Sequence, residues 1–471
     1  MQERQSCFEL RLQRTGIETG LSLCPETFGQ ICGLFFQFCA ILPKRRSLYN
    51  KLRILFKKQP ERGEKRHMRE NQNNEWWQDA IEKVKGKMEW VSEKSREKIP
   101  YTTVNGTHDD RSGADKSFSP DLGIYWWTNG FWGGMMWMMY QDTGEERYSQ
   151  IARFSEKAMD WCLQDFYGLH HDVGFMYLPT AVLDYRLTGS PDARRRGLHA
   201  ANLLAGRFNP VGKFIRACNE ENRPGEDVRG WAIIDCMFNI PLLYWASEET
   251  GDPRFKHIAM MHADTVMEHF IREDGSVRHI VEFDPETGER LRDYGGQGYE
   301  LGSSWTRGQS WGMYGFLMSH LHTGKQEYLD TCKKIAHYFC ANIPEDGLIP
   351  VDFRQPKEPY WYDDTAAVIA ACGLLELAKA VPEYEKDMYR RAALKLLKAL
   401  YENHCDFTED NDCILMKCTG AYYDERHEYP IIYGDFFFME ALFKLKGSGI
   451  VMWYGPTGRN QWAETGKWRL K

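Results

Sequence analysis

Four times along the chain, an apolar helical stretch runs into Thr-Gly and a charged or aromatic helix start follows. The copies are Tyr140-Gln-Asp-Thr143-Gly144-Glu-Glu-Arg-Tyr148, Tyr185-Arg-Leu-Thr188-Gly189-Ser-Pro191, Ser247-Glu-Glu-Thr250-Gly251-Asp-Pro-Arg-Phe255 and His322-Thr323-Gly324-Lys-Gln-Glu-Tyr328. A looser fifth is Ala380-Val-Pro382-Glu-Tyr384-Glu-Lys-Asp-Met-Tyr389. Gly just past a helix end is explained by its easy access to the left-handed conformation. The spacings, about 45, 62, 73 and 58 residues, leave room for two helices and a loop between connectors. With a last helix expected over 434–446, the pattern predicts about six helical pairs. Closed in a ring, they make an all-α (α/α)6 barrel with apolar inner helices, charged outer ones and short β segments in loops at the active-site end. An open solenoid is the alternative, but its repeats are shorter and more regular.

Within that frame, residues 227–245 are the most informative. From Trp231 onward they are almost wholly apolar, which reads as buried, yet they carry one acid, Asp235. Burial disfavours the charged carboxylate and pushes its pKa upward, the condition for a general acid at ordinary pH. A buried Asp that only accepts backbone N–H bonds is the plainer reading. Ser276-Val-Arg-His-Ile-Val-Glu-Phe283 alternates as a strand, and Asp284-Pro-Glu-Thr-Gly288 reads as a turn.

The chain has 471 residues, 14% of them aromatic, and its 16 Trp often stand beside Gly, Asp or Thr, as in ligand-binding walls. A net charge of -7 gives no basic field for nucleic acid. Thirteen Cys without C-x-x-C spacing fit free thiols in a reducing compartment, hence a cytoplasmic location. Neither a glycine-rich phosphate loop nor HExxH is present. The apolar run 28–42 is too short and interrupted for a membrane span. Residues 1–67 carry 13 Lys/Arg against 6 Asp/Glu. They are expected to lie outside the folded domain, as a disordered extension or a start-site artefact. The catalytic domain is then 68–446 and the C-terminal tail 447–471.

Four further stretches place aromatics and glycines at helix starts, where side chains of a helical barrel converge. They are Tyr125-Trp-Trp-Thr-Asn-Gly-Phe-Trp-Gly-Gly134, His170-His-Asp172-Val-Gly-Phe-Met-Tyr177, Tyr294-Gly-Gly-Gln297-Gly-Tyr299 leading to Ser304-Trp305-Thr-Arg307-Gly-Gln-Ser-Trp311, and Tyr360-Trp-Tyr-Asp363-Asp364-Thr365-Ala366. Asp363-Asp364-Thr365 opens the apolar run 366–375 and is best read as an N-cap.

Over residues 75–445 the chain resembles the unsaturated glucuronyl hydrolases of glycoside hydrolase family 88. The motifs that carry the likeness are Thr128-Asn-Gly-Phe-Trp132, His171-Asp-Val-Gly-Phe175, Ile234-Asp-Cys-Met-Phe-Asn239, Ser304-Trp-Thr-Arg-Gly-Gln-Ser-Trp311 and Tyr433-Gly-Asp-Phe-Phe437. The resemblance implies removal of a 4,5-unsaturated uronic acid from the non-reducing end of lyase-generated oligosaccharides, by hydration of the C4=C5 bond. Asp235 matches the general acid/base and Asp172 the second essential carboxylate. His279, Gln297 and Arg307 match polar substrate contacts. Trp127, Phe131, Trp305, Trp311 and Tyr433 match aromatic ones, with Trp126 a rival to Trp127. Neither metal nor cofactor is implied. Cys218 departs from the Trp common in the family, which bears on the sugar next to the cleaved bond.

The residues alone leave bland readings beside these. Asp172 could hold a loop by backbone bonds, His279 could be a solvated strand position, and Arg307 an ordinary ion-pair partner. Rival activities are an unsaturated rhamnogalacturonyl hydrolase and an ordinary glycosidase using Asp172 and Asp235 at C1. A sugar-binding protein would keep the aromatics without needing Asp235. An isomerase would want paired His bases, whereas His170 and His171, adjacent in sequence, are expected to diverge.

Overall fold

The computed structural model describes residues 62–113, 123–219, 225–449 and 452–455. The chain divides into two units, residues 1–73 and 74–471. The expected extension 1–67 lies outside the described residues except where helix α1 (Arg62–Lys94) begins.

The second unit is an (α/α)6 barrel. Among the described residues, α2 (Asn129–Thr143) is an inner helix paired with outer α3 (Glu146–Gln164). The next inner element runs through α4 (Val173–Tyr177), a π-helical segment (Leu178–Val182) and α5 (Leu183–Thr188), paired with α6 (Pro191–Ala205). A 3-10 turn (Ile234–Phe238) and α7 (Pro241–Thr250) pair with α8 (Pro253–His269). Then come α9 (Thr306–Thr323) with α10 (Gln326–Ala341), α11 (Asp364–Ala380) with α12 (Glu383–Asn403), and inner α13 (Ile432–Lys446). Inner helices are apolar all round and buried all round: every residue of α9 from Thr306 to Ser319 is buried. Outer helices such as α3 bury one stripe only.

Four of the five connectors follow one local chemistry. Gly144, Gly189, Gly251 and Gly324 sit at φ of 74°, 75°, 76° and 71°. Each preceding Thr hydroxyl donates to the carbonyl four residues back: Thr143 to Met139 at 2.8 Å, Thr188 to Asp184 at 2.9 Å, Thr250 to Ala246 at 2.7 Å and Thr323 to Ser319 at 2.6 Å. The same oxygen accepts the N–H two residues on, at 3.2 Å in every copy. Thr-Gly is therefore a self-contained stop and turn that satisfies helix-end groups without tertiary help. The fifth connector lacks it, and α11 instead ends on extended Val381 before Pro382.

The ring closes between the last inner helix and the first. Phe131 on α2 packs on Phe436 of α13 at 4.9 Å, and a Cβ at Gly134 would lie 2.6 Å from the Phe436 ring. The outer slot beside α13 is filled by the 74–94 part of α1. Its Lys83 donates to Tyr401 of α12 at 2.8 Å, and its Glu89 carbonyl accepts from Arg147 of α3 at 3.4 Å. The expected tail is not free throughout. Met452 and Trp453 are buried, with Trp453 stacked on Phe437 at 6.0 Å and its Nε1 donating to Glu440 at 3.0 Å. Two large apolar side chains past the last helix stop up the ring end opposite the inner-helix N-termini.

At that N-terminal end lies a three-stranded antiparallel sheet in the order β5 (Trp231–Ile233), β6 (Ile280–Phe283), β7 (Arg290–Tyr294). Two short hairpins, β1 (Thr103–Val104) with β2 (Thr107–His108) and β3 (Phe208–Asn209) with β4 (Phe214–Ile215), precede it in the chain. The alternating stretch is a strand only from Ile280. Its turn is as read, with Gly288 at φ 78° and the Asp284 carboxylate accepting from Glu286 and Thr287 N–H at 2.8 and 2.9 Å. Residues 227–245 divide into β5, the 3-10 turn and α7.

Candidate active site

Asp235 lies in the 3-10 turn between β5 and α7, where the segment leaves the sheet to enter the ring. The Ile234 N–H donates to the His279 carbonyl at 3.0 Å, which fixes the turn against β6. Oδ1 of Asp235 is buried and has no hydrogen-bond partner among the described residues. Burial first, and the Asp172 charge second, push its pKa up to about 8, against a smaller opposing pull from Arg307. The group is held as a neutral acid at pH 7.

Asp172 immediately precedes α4, but its side chain caps nothing there. Oδ2 instead meets His170 Nδ1 at 3.2 Å and His171 Nε2 at 3.3 Å, and Oδ1 accepts from Asn239 Nδ2 at 2.9 Å. Burial acts to raise its pKa, but the two imidazoles outweigh it and hold the carboxyl well below the usual range. Burial also lowers the pKa of His171. The histidines thus converge, contrary to the expectation that neighbours diverge, because the chain turns at Asp172 (φ -83°, ψ 13°) rather than running extended. Ligating atoms of His170, His171 and Asp172 all lie within 4.8 Å of one another, a spacing that would suit a cation. Asn239 carries no assigned role in the sequence reading, yet it binds both acids. The same Nδ2 donates to the Asp235 carbonyl at 3.1 Å, while Oδ1 accepts from Phe175 N–H at 2.8 Å. The legible signal is a polar residue one helical turn after Asp235 in an otherwise apolar run.

His279 is buried, not solvated, with its ring against Trp305 at 4.1 Å. Its Nδ1 accepts from Gln297 N–H at 3.0 Å. The Gln297 amide donates to Gly420 O at 2.9 Å. Arg307, 2% exposed, pairs with Asp363 and donates to Thr419 O at 2.8 Å, to Thr365 Oγ1 at 3.2 Å and to Gly420 O. The plainer alternative for Arg307, an ion pair, is thus present beside the expected substrate contact, and much of its fork is already engaged. Its guanidinium also lies 4.6 Å from the Trp305 ring and 5.8 Å from Tyr433. Asp363 is the expected N-cap, accepting from Thr365 N–H at 3.2 Å. Asp364 turns instead to His404 Nδ1 at 2.7 Å.

The structure separates the two rival tryptophans. Trp127 packs on Tyr433 at 4.9 Å and Phe175 at 5.1 Å, whereas Trp126 lies edge-on to Tyr101 at 5.9 Å. Phe131 and Trp311 have no accessible surface and form the layer behind these rings, with Trp311 4.8 Å from Phe175. Gly308-Gln-Ser310-Trp-Gly312 has the spacing of a hydrolase nucleophile elbow, but it is an interior stretch of α9. Ser310 Oγ spends its proton on the Thr306 and Ala366 carbonyls, at 3.0 and 2.8 Å. The chemistry available is a neutral acid beside an anionic one, inside an aromatic wall.

Residues 91–454 match the model of Glycosyl Hydrolase Family 88. The unsaturated glucuronyl hydrolase of Bacillus sp. (strain GL1) is 36% identical over 340 residues, covering 70% of this chain and 88% of that protein. The unsaturated chondroitin disaccharide hydrolase of Streptococcus pyogenes serotype M1 is 34% identical over 325 residues, covering 68% and 80%. A solved structure described as UGL with dGlcA-Glc-Rha-Glc superposes with a TM-score of 0.74 at 32% identity, over 80% of this chain and 99% of that one. The chain belongs to glycosyl hydrolase family 88 and is an enzyme of the glycoside-hydrolase type.

Proposed function

We propose that the enzyme removes a 4,5-unsaturated uronic acid from the non-reducing end of lyase-generated oligosaccharides by hydrating the C4=C5 bond. The observation that carries this reading is the pairing of a neutral Asp235, its Oδ1 unpartnered, with an ionised Asp172. Protonating an alkene carbon needs an acid that still holds its proton when substrate arrives. Asp235 gives its proton to C4, and the carboxylate so formed takes a proton from the water that adds at C5. The hemiketal then opens and expels the rest of the oligosaccharide.

Asp172 binds sugar hydroxyls and, as an anion, keeps Asp235 protonated. His279, Gln297 and Arg307 flank the reacting sugar, and Trp127, Trp305 and Tyr433 offer ring faces, with Phe131 and Trp311 supporting them. The catalytic domain is the second unit, from residue 74 and including the buried Met452 and Trp453, rather than the expected 68–446. A cytoplasmic location is supported by free cysteines at all nine described positions. Among the described residues no helix is long and apolar enough to cross a membrane.

The test is an activity panel on the full chain with unsaturated disaccharides, sulfated and unsulfated, an unsaturated rhamnogalacturonan disaccharide and saturated counterparts. Loss of the double-bond absorbance on the glucuronyl substrates alone is the expected result. Turnover of saturated sugars would favour an ordinary glycosidase, and turnover of the rhamnogalacturonan fragment alone the pectin-directed relative.

A further inference from the structure

The two loops that meet at Gln297 and Gly420 carry an aromatic group that the reaction leaves unused. Tyr423 is 72% exposed, the most exposed ring of that group. It lies nearly parallel to Tyr299, at 21° and 6.5 Å between centroids, and edge-on to Tyr422 at 5.0 Å. Tyr422, 5% exposed, stands edge-on to Tyr299 at 5.0 Å and braces both.

The group is tied to the site through main chain. Tyr422 N–H donates to Gln297 O at 3.0 Å, Gln297 returns its amide to Gly420 O at 2.9 Å, and Gln297 N–H meets His279 at 3.0 Å. Tyr299 N–H is held by the buried Asp352 carboxylate at 3.1 Å, which also accepts from Ser303 Oγ at 2.6 Å and Ser304 N–H at 2.9 Å. A rigidly supported ring left open to solvent beside a site already walled with aromatics suits a ligand rather than the core.

The charges around it select among ligands. Asp424, Glu425 and Glu300 are exposed in the same loops. Two of the cations in and around these loops are paired, Lys417 with Glu428 at 3.3 Å and Arg354 with Asp274 at 2.8 Å, while exposed Arg426 lies over the Tyr429 ring at 4.2 Å and Lys357 is exposed near Pro359. A sulfate or carboxylate brought here would meet more exposed acids than exposed cations, Asp424, Glu425, Glu300 and Glu358 against Arg426 and Lys357.

We propose that Tyr423 and Tyr299 form a further sugar subsite, outside the pocket for the unsaturated uronate, that takes the C–H face of a neutral, unsulfated sugar ring. This rests on the hydrolase reading above and extends it to longer neutral chains. The subsite adds affinity for the distal sugars and leaves the chemical step alone.

The test is steady-state kinetics of the full chain on the unsaturated tetrasaccharide dGlcA-Glc-Rha-Glc and on its disaccharide dGlcA-Glc, for wild type, Tyr423→Ala and Tyr423→Phe. Tyr423→Ala should raise KM for the tetrasaccharide about five- to tenfold with kcat held, and lower the tetrasaccharide-to-disaccharide ratio of kcat/KM by the same factor. Tyr423→Phe, which keeps the ring, should restore the ratio. An unchanged ratio in Tyr423→Ala overturns the subsite while leaving the hydrolase reading intact. A loss confined to kcat overturns it also. A wild type inactive on both sugars removes the reading beneath it.

Discussion

Asp172 and Asp235 hang from the same amide: Asn239 Nδ2 donates to Oδ1 of Asp172 at 2.9 Å and to the main-chain oxygen of Asp235 at 3.1 Å. One side chain thus ties the carboxyl of Asp172 to the main chain that carries Asp235, two acids whose proton affinities are driven apart. Gly174 makes this approach feasible, since a Cβ there would lie 2.5 Å from Asn239 Cα.

Asn239→Ala should lower kcat about 10- to 100-fold with little change in KM, because Asp172 loses its orienting donor. It should also cost about 1–3 kcal/mol in urea unfolding, since the buried Asp172 Oδ1 loses its donor. Full activity in this variant would show that the bridge positions nothing.

Asp235→Asn should cut turnover by about a hundredfold or more. The same change should stabilise the protein at pH 7, by about 1–2 kcal/mol, as expected where a site carries strain for function. The sign follows from the raised folded pKa. Wild-type stability is fully present below the unfolded value near 3.8 and is lost as pH rises toward about 8, so the Asn advantage grows over that window. A thermal melt series in pH checks it, and an Asn variant less stable than wild type at pH 7 would refute it.

The rate should depend on pH on one side chiefly. As pH rises through about 8, Asp235 ionises and kcat/KM should fall tenfold per unit. On the acid side Asp172, held below the usual carboxylate range, should keep the rate up to lower pH than an ordinary carboxylate would. A plateau extending past pH 9 would mean that Asp235 is not the proton donor.

Arg307→Met should destabilise the fold by roughly 3–5 kcal/mol, because buried Asp363 loses its cation. Adding Asp363→Asn should recover part of that loss. If the double variant is no more stable than the single in denaturant titrations, the ion pair is not what holds this corner.

What could be read from the sequence was local. Thr143-Gly144 and its three counterparts announce helix ends because both hydrogen bonds of the Thr and the positive φ of the Gly are made within a few residues. Asp235 stood out because one acid interrupts an apolar run. The part that escaped notice depends on residues distant in sequence. Nothing local says that Arg307 meets Asp363, that Asn239 reaches back to Asp172, or that Trp126 and Trp127 face different neighbours. The histidine pair misled for another reason: divergence holds for extended chain, and the backbone turns there.

The outer helix beside α13 is the 74–94 part of α1, which lies far before it in the chain. Synthesis therefore makes this wall well before the inner stave it flanks. The barrel thus closes through partners far apart in sequence, a high contact order that slows folding, and a change in α13 is felt at α1 as well.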